Sequence, residues 1–135
     1  MKEKNSESLG MVVLLMVAMA ALLYSCGSTP NTGGAVSSAV AQIVTCPTTT
    51  VTDVSITSIT SGFQPNSVSI AVNDIVRWTN NDSTTSHTVT SGTTGQFDSG
   101  NVPSGHTVCM QFLVAGSYGY FCSIHPSMTG VVKVQ

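Results

Sequence analysis

The sequence predicts an all-β domain, a two-sheet antiparallel sandwich of about seven to eight short strands. Three observations carry that reading. Short runs with period-two alternation, rich in Val, Ile and Thr, begin after Thr50 and continue to the C-terminus; a strand that buries one face requires this alternation. The runs are separated by Gly, Pro and Asn-Asp clusters, the residues that tight turns use. After residue 50 no apolar stripe recurs every 3.6 residues, so a helix would have no face to bury. Two sheets packed face to face give every such strand one side in the core.

In chain order the predicted strands cover residues 51–59, 67–72, 75–79, 87–90, 106–114, 117–121 and 131–134. Turns fall at Gln64-Pro65-Asn66, Asn73-Asp74, Asn80-Asn81-Asp82-Ser83 and Val102-Pro103-Ser104-Gly105. Within 106–114, Val108, Met110 and Phe112 alternate with Thr107, Cys109 and Gln111. The first set is expected to face inward, because successive side chains of a strand point to opposite faces. Apart from Tyr24, the aromatic residues are Phe63, Trp78, Phe97, Phe112, Tyr118, Tyr120 and Phe121, which places the core in the C-terminal half. Trp78 and Tyr118 are read as core residues and Met110 as core filler.

The chain has 135 residues, enough for one domain of ordinary size. Its formal net charge is -2, and after Cys26 its only cations are Arg77 and Lys133. That leaves too little basic surface to grip a phosphate backbone, so nucleic acid is excluded as a partner. Residues 9–23 form an apolar stretch behind Lys2 and Lys4. It is shorter than the roughly 20 residues that span a bilayer and is read as an export signal. The stretch ends in Leu23-Tyr24-Ser25-Cys26, which resembles the lipobox of bacterial lipoproteins and implies a lipid on Cys26, with cleavage just ahead of it. A plain secretory peptide cut near Ser25 to Ser28 is the other reading. Both put the protein outside the cytoplasm, on the periplasmic or cell-surface side of a bacterial membrane.

Residues 26–50 are small, uncharged and free of aromatics, and are read as a flexible lipid-anchored linker. Within them, residues 36–44 are apolar enough to dock as an extra strand instead. The expected organisation is a signal peptide at 1–25, the linker at 26–50 and the folded domain at 51–135.

The densest group of metal-binding atoms is Cys122-Ser123-Ile124-His125-Pro126-Ser127-Met128, with His87 upstream. A thiolate, two imidazoles and a weak thioether are the donors of a blue-copper centre: sulfur suits Cu(I), imidazole suits both oxidation states, and a long axial Met tunes the potential. Three donors on one short turn converge on an ion without enclosing it. A fourth from another strand has to close the far side, and His87 follows the turn-like stretch from Asp82 to Ser86. Pro126 biases His125 toward an extended backbone and stiffens the loop.

Alone, His87 would read as an ordinary strand-edge histidine, and His106 reads as a solvated loop residue. Cys122 has a second reading as half of a disulfide, since the compartment is oxidising and Cys46 and Cys109 are both available. The count favours a possible disulfide between Cys46 and Cys109, which leaves Cys122 free beside His and Met.

These residues resemble a family, the small cupredoxins, and within it plastocyanin, pseudoazurin and amicyanin. The resemblance runs from about Ile56 to Val134 and is most specific in the Gly-x-Tyr-x-Tyr-x-Cys-x-x-His-x-x-Met-x-Gly run from Gly116 to Gly130. Phe63-Gln64-Pro65, Asp74 with Val76 and Trp78, Asn80 with Asp82, Ser86-His87-Thr88-Val89 and Gln96-Phe97-Asp98-Ser99-Gly100 add to it. The short Cys-x-x-His-x-x-Met spacing looks most like amicyanin. The resemblance implies a cupredoxin-like Greek-key sandwich and one type 1 copper, with His87, Cys122 and His125 as equatorial ligands and Met128 as the axial one. Where the family often has Asn after the first histidine, this chain has Thr88, whose backbone N–H is left to reach the sulfur.

No nucleophile and base pair stands out among Asp53, Asp74, Asp82 and Asp98, so the chain is not read as an enzyme. Four protein ligands leave copper no position for a substrate. The expected role is single-electron shuttling through Cu(II)/Cu(I) between a redox-protein donor and acceptor. The molecule is expected to be a monomer held to the membrane by its lipid. As in the family, the edge of His125, with Ile124, Pro126 and Pro65 around it, would be the docking point. The alternative function is copper delivery to another apoprotein; a metal-free adhesive sandwich is a third.

Overall fold

Residues 39–135 are described by the structure, a computed structural model. The signal peptide, the lipidation at Cys26 and the start of the linker lie outside the described residues. Nine strands follow one another: β1 (Ala41–Val44), β2 (Thr52–Ser58), β3 (Gly62–Gln64), β4 (Ser67–Ile70), β5 (Ile75–Asn80), β6 (Thr90–Ser91), β7 (Thr107–Phe112), β8 (Gly116–Phe121) and β9 (Thr129–Val134). They form a five-stranded sheet, ordered β1-β7-β5-β2-β3, and a four-stranded sheet, ordered β4-β9-β8-β6.

The all-β sandwich is as the alternation predicts, but the sheets are mixed rather than purely antiparallel. β2 runs parallel to β5, and β4 runs parallel to β9. Period-two patterning fixes which face of a strand is buried and says nothing about its neighbour. Parallel pairing needs a long crossover, and here β3 and β4 intervene between β2 and β5.

Three local differences have identifiable causes. The short β3 matches no expected strand, and only its last residue, Gln64, falls in an expected turn; three residues cannot show a period, although its Phe63 is only 1% exposed. The strand expected at 87–90 pairs regularly only at Thr90–Ser91, while His87 makes an isolated bridge with Val102. The folded unit also starts earlier than residue 51. β1, inside the stretch read as linker, pairs with β7 from Ala41↔Phe112 to Val44↔Cys109. An edge strand is held mainly by backbone bonds, which composition does not reveal, so the docking alternative for this stretch is the one observed.

The inward face of β7 holds Met110 and Phe112, both fully buried, with Val108 half-buried. Cys109 lies on the opposite face by alternation and is nevertheless 1% exposed, because it is disulfide-bonded to Cys46 just beyond β1, with a Cα separation of 5.2 Å. Between the sheets, Tyr120 meets Phe63 edge-on at 4.8 Å between ring centroids and Trp78 at 5.6 Å. Phe97 packs edge-on against Phe112 at 5.6 Å. Such edge-to-face contacts fit the aromatic quadrupole and lock the core in one arrangement. That rigid core presents the two segments that build the site.

Candidate metal centre

β8 and β9 pair antiparallel from Gly116↔Val134 to Phe121↔Thr129, so Cys122 to Met128 must form the connection between them. Its backbone closes on itself. The Cys122 N–H donates to Met128 O at 3.0 Å, the His125 N–H to Cys122 O at 3.2 Å, and the Met128 N–H to His125 O at 2.9 Å. This winding carries the His125 ring back toward Cys122, with Nδ1 at 3.7 Å from Sγ.

The second imidazole comes from the other side. His87 is held by reciprocal backbone bonds with Val102, and its Nδ1 also lies 3.7 Å from Cys122 Sγ. The three donor atoms of His87, Cys122 and His125 all lie within 4.8 Å of one another. His87 and Cys122 are fully buried, and His125 is half-buried. Met128 is 2% exposed at the end of the same loop and belongs to the core cluster. His106 lies elsewhere, exposed, with Nδ1 against its own turn at Ser104 O.

Thr88 ties the two segments together. Its N–H points at Cys122 Sγ at 3.3 Å, a contact that stabilises negative charge on sulfur. Its hydroxyl accepts the Ser123 N–H at 2.7 Å and bonds the hydroxyls of Ser123, at 3.0 Å, and Thr90, at 2.9 Å. The Thr88 side chain therefore does bridge to the ligand loop, beyond the backbone contact that its sequence position suggested.

Behind His87 stands a residue whose part in the site the sequence did not single out. Nε2 of His87 is 3.1 Å from Asp82 Oδ2, and the side chains are 0% and 8% exposed. The other carboxylate oxygen accepts the Thr84 N–H at 2.9 Å and its O–H at 2.6 Å. The Thr84 hydroxyl and N–H, and then His87, hold the Asp82 carboxyl down at about 2. A carboxylate five residues before a candidate ligand histidine was the available signal, since metal-binding histidines commonly pass their second ring nitrogen to a carboxylate.

Asp82, His87 and Cys122 also stand in the order acid, base, thiol, the arrangement of a nucleophilic enzyme. Burial argues against that chemistry: His87 and Cys122 have no exposed surface, so an electrophile cannot reach Sγ. The cluster instead offers a soft sulfur and two imidazole nitrogens to a single small ion, with a backbone N–H on the sulfur and a carboxylate behind one ring. This donor set fits copper.

The chain matches the family model for a cupredoxin-like domain over residues 13–134. Among solved structures, it is similar to a novel purple cupredoxin from Nitrosopumilus maritimus, with 27% identity over 62% of this chain and 99% of the other, and a TM-score of 0.58. It is similar in fold to amicyanin from Paracoccus versutus (Thiobacillus versutus), with 22% identity, coverage of 71% and 98%, and a TM-score of 0.60. A reduced Cu(I) form of an amicyanin mutant at pH 4 gives 22% identity, coverage of 71% and 99%, and a TM-score of 0.62. No curated protein sequence matches the chain. Near-complete coverage by the family model, joined to a buried cluster of one thiol and two imidazoles, makes the chain a member of the cupredoxin-like family with one copper ion as its cofactor.

Proposed function

We propose that the protein is a blue-copper electron carrier that works outside the cytoplasm, anchored to a bacterial membrane by a lipid on Cys26, and moves single electrons between a redox-protein donor and acceptor. The observation that carries this reading is the buried convergence of His87, Cys122 and His125, with donor atoms within 4.8 Å of one another. In this reading these three, with Met128 at the end of the same loop, would hold the copper. Copper bound there supplies a one-electron Cu(II)/Cu(I) couple.

The chain's own residues do the rest. The closed Cys122–Met128 loop and the bridge of His87 to Val102 keep the donors in one place in either oxidation state. Thr88 donates to the sulfur, and core packing keeps water off His87 and Cys122. His125 is half-buried beside exposed Pro126 and Ile124, the latter 49% exposed, so its ring edge is the point where electrons enter and leave. A partner docks on this small apolar rim, and the protein acts as a monomer.

Adding Cu(II) to the protein should produce an intense thiolate-to-copper band in the visible, with one copper per chain by metal analysis. Cys122→Ser and His125→Ala should each abolish it. Copper uptake without the band would overturn the ligand set. Copper held through repeated reduction and reoxidation separates electron transfer from copper delivery, which requires release. For the anchor, a fed fatty acid should label the protein and fail to label Cys26→Ser.

A further inference from the structure

The two ring nitrogens of His87 face different chemistry: Nδ1 faces Cys122 Sγ at 3.7 Å, and Nε2 faces Asp82 Oδ2 at 3.1 Å. A neutral imidazole has one ring proton, and an ionised carboxylate can only accept. The proton therefore sits on Nε2, and Nδ1 keeps its lone pair for the site. We propose that Asp82 is a positioning residue that fixes this tautomer and, through its hydrogen bond to Nε2, strengthens His87 as a donor and so favours Cu(II) over Cu(I); this rests on His87 being a ligand.

The surroundings of Asp82 are built to hold it there. Its N–H donates to Asn80 Oδ1 at 3.0 Å, and the Asn80 amide nitrogen donates to Thr85 O at 2.9 Å and Val102 O at 3.0 Å. Asn80 thus ties the Asp82 turn to the same residue, Val102, that brackets His87. The carboxylate is caught between two sets of donors, Thr84 on Oδ1 and His87 on Oδ2. With both side chains buried, the bond to His87 acts in a low local dielectric, where it is stronger than in water. A carboxylate on the far nitrogen raises the basicity of a ligating imidazole, and the more highly charged ion gains more from a more basic ligand.

Thr84 works against this effect. Its O–H, 2.6 Å from Oδ1, draws charge away from the oxygen that serves His87. Removing that hydroxyl should therefore act opposite to removing the carboxylate charge, which a purely structural role for the turn would not produce.

The test compares the full chain, purified in detergent and loaded with copper, with its Asp82→Asn and Thr84→Val variants by redox titration. Loss of a carboxylate behind a metal-bound histidine typically costs about 10–100-fold in metal affinity. Asp82→Asn should keep the visible band, lose about tenfold more affinity for Cu(II) than for Cu(I), and so raise the midpoint potential by about 59 mV. Thr84→Val, at an exposed position, should lower it. In the diamagnetic Cu(I) form the His87 Nε2–H should give a slowly exchanging proton resonance that exchanges faster in Asp82→Asn. An unmoved potential in both variants, or shifts of the same sign, would overturn the proposal while the band in the parent protein still stood. If Asp82→Asn does not fold, the sign of the Thr84→Val shift and the parent resonance decide. A parent protein that binds copper without the band overturns the ligand set on which this inference rests, and the inference with it.

Discussion

Gly130 lies beneath the ring of Tyr120, and a Cβ built there would sit 2.5 Å from the hydroxyl oxygen. Tyr120 is wedged between Phe63 and Trp78 and has nowhere to go. Gly130→Ala should therefore destabilise the fold by about 1–3 kcal/mol, read from the urea midpoint. Burial pushes the Tyr120 phenol up to about 12. The fold favours its neutral form, so this stability is fully present below the unfolded value of about 10 and is lost as pH rises through the folded one. Its size is about 3 kcal/mol, and Tyr120→Phe should remove that part of the alkaline loss. Thr88 is 6% exposed, and its hydroxyl serves Ser123 and Thr90. Thr88→Val should cost about 1 kcal/mol and loosen the ligand loop, seen as broadening of the copper band. Gly130 and Thr88 were visible in the sequence only as members of a motif. The Tyr120 ring that Gly130 meets and the Ser123 that Thr88 binds lie 10 and 35 positions away, respectively, which spacing does not disclose.

The β8–β9 connection is the element most fully legible in advance. Two strand patterns close together in sequence must be joined by a turn, and any donors on that turn are near one another whatever the rest of the chain does. β1 is the opposite case. It lies at the sheet edge, with Ile43 58% exposed, and is fixed by backbone pairing to β7 and by the Cys46–Cys109 bond. That bond spans 63 residues, and closing a loop of this size restricts the unfolded chain by about 4 kcal/mol in the entropic account. Cys46→Ser should lower stability by that order in denaturant unfolding and raise hydrogen exchange in Ala41–Val44 above that of β7. The apolar character of residues 36–44 and the cysteine count left docking open, but neither could decide it, because the partners of residues 41–46 are more than 60 residues downstream.

Across the described molecule the surface is nearly neutral. Arg77 is engaged with Asp53 through two contacts, at 2.6 and 2.9 Å, which leaves Lys133 as the one cation outside an ion pair. The pair is exposed and adds little stability. It also removes one of the few charges that could steer a partner. Reduction by a partner protein should accordingly change little with ionic strength, and a steep fall in rate between low and high salt would contradict an apolar docking rim. The sequence by itself determined the all-β class, the inward face of β7 and the C-terminal turn with its sulfur and imidazole donors, because alternation and short-range spacing are local properties of a chain. Only the tertiary structure decided the parallel pairings, the seat of β1, the meeting of His87 with Cys122 and the Asp82 carboxylate behind it. Each of those joins segments whose contact depends on how two sheets pack, and no local pattern encodes that.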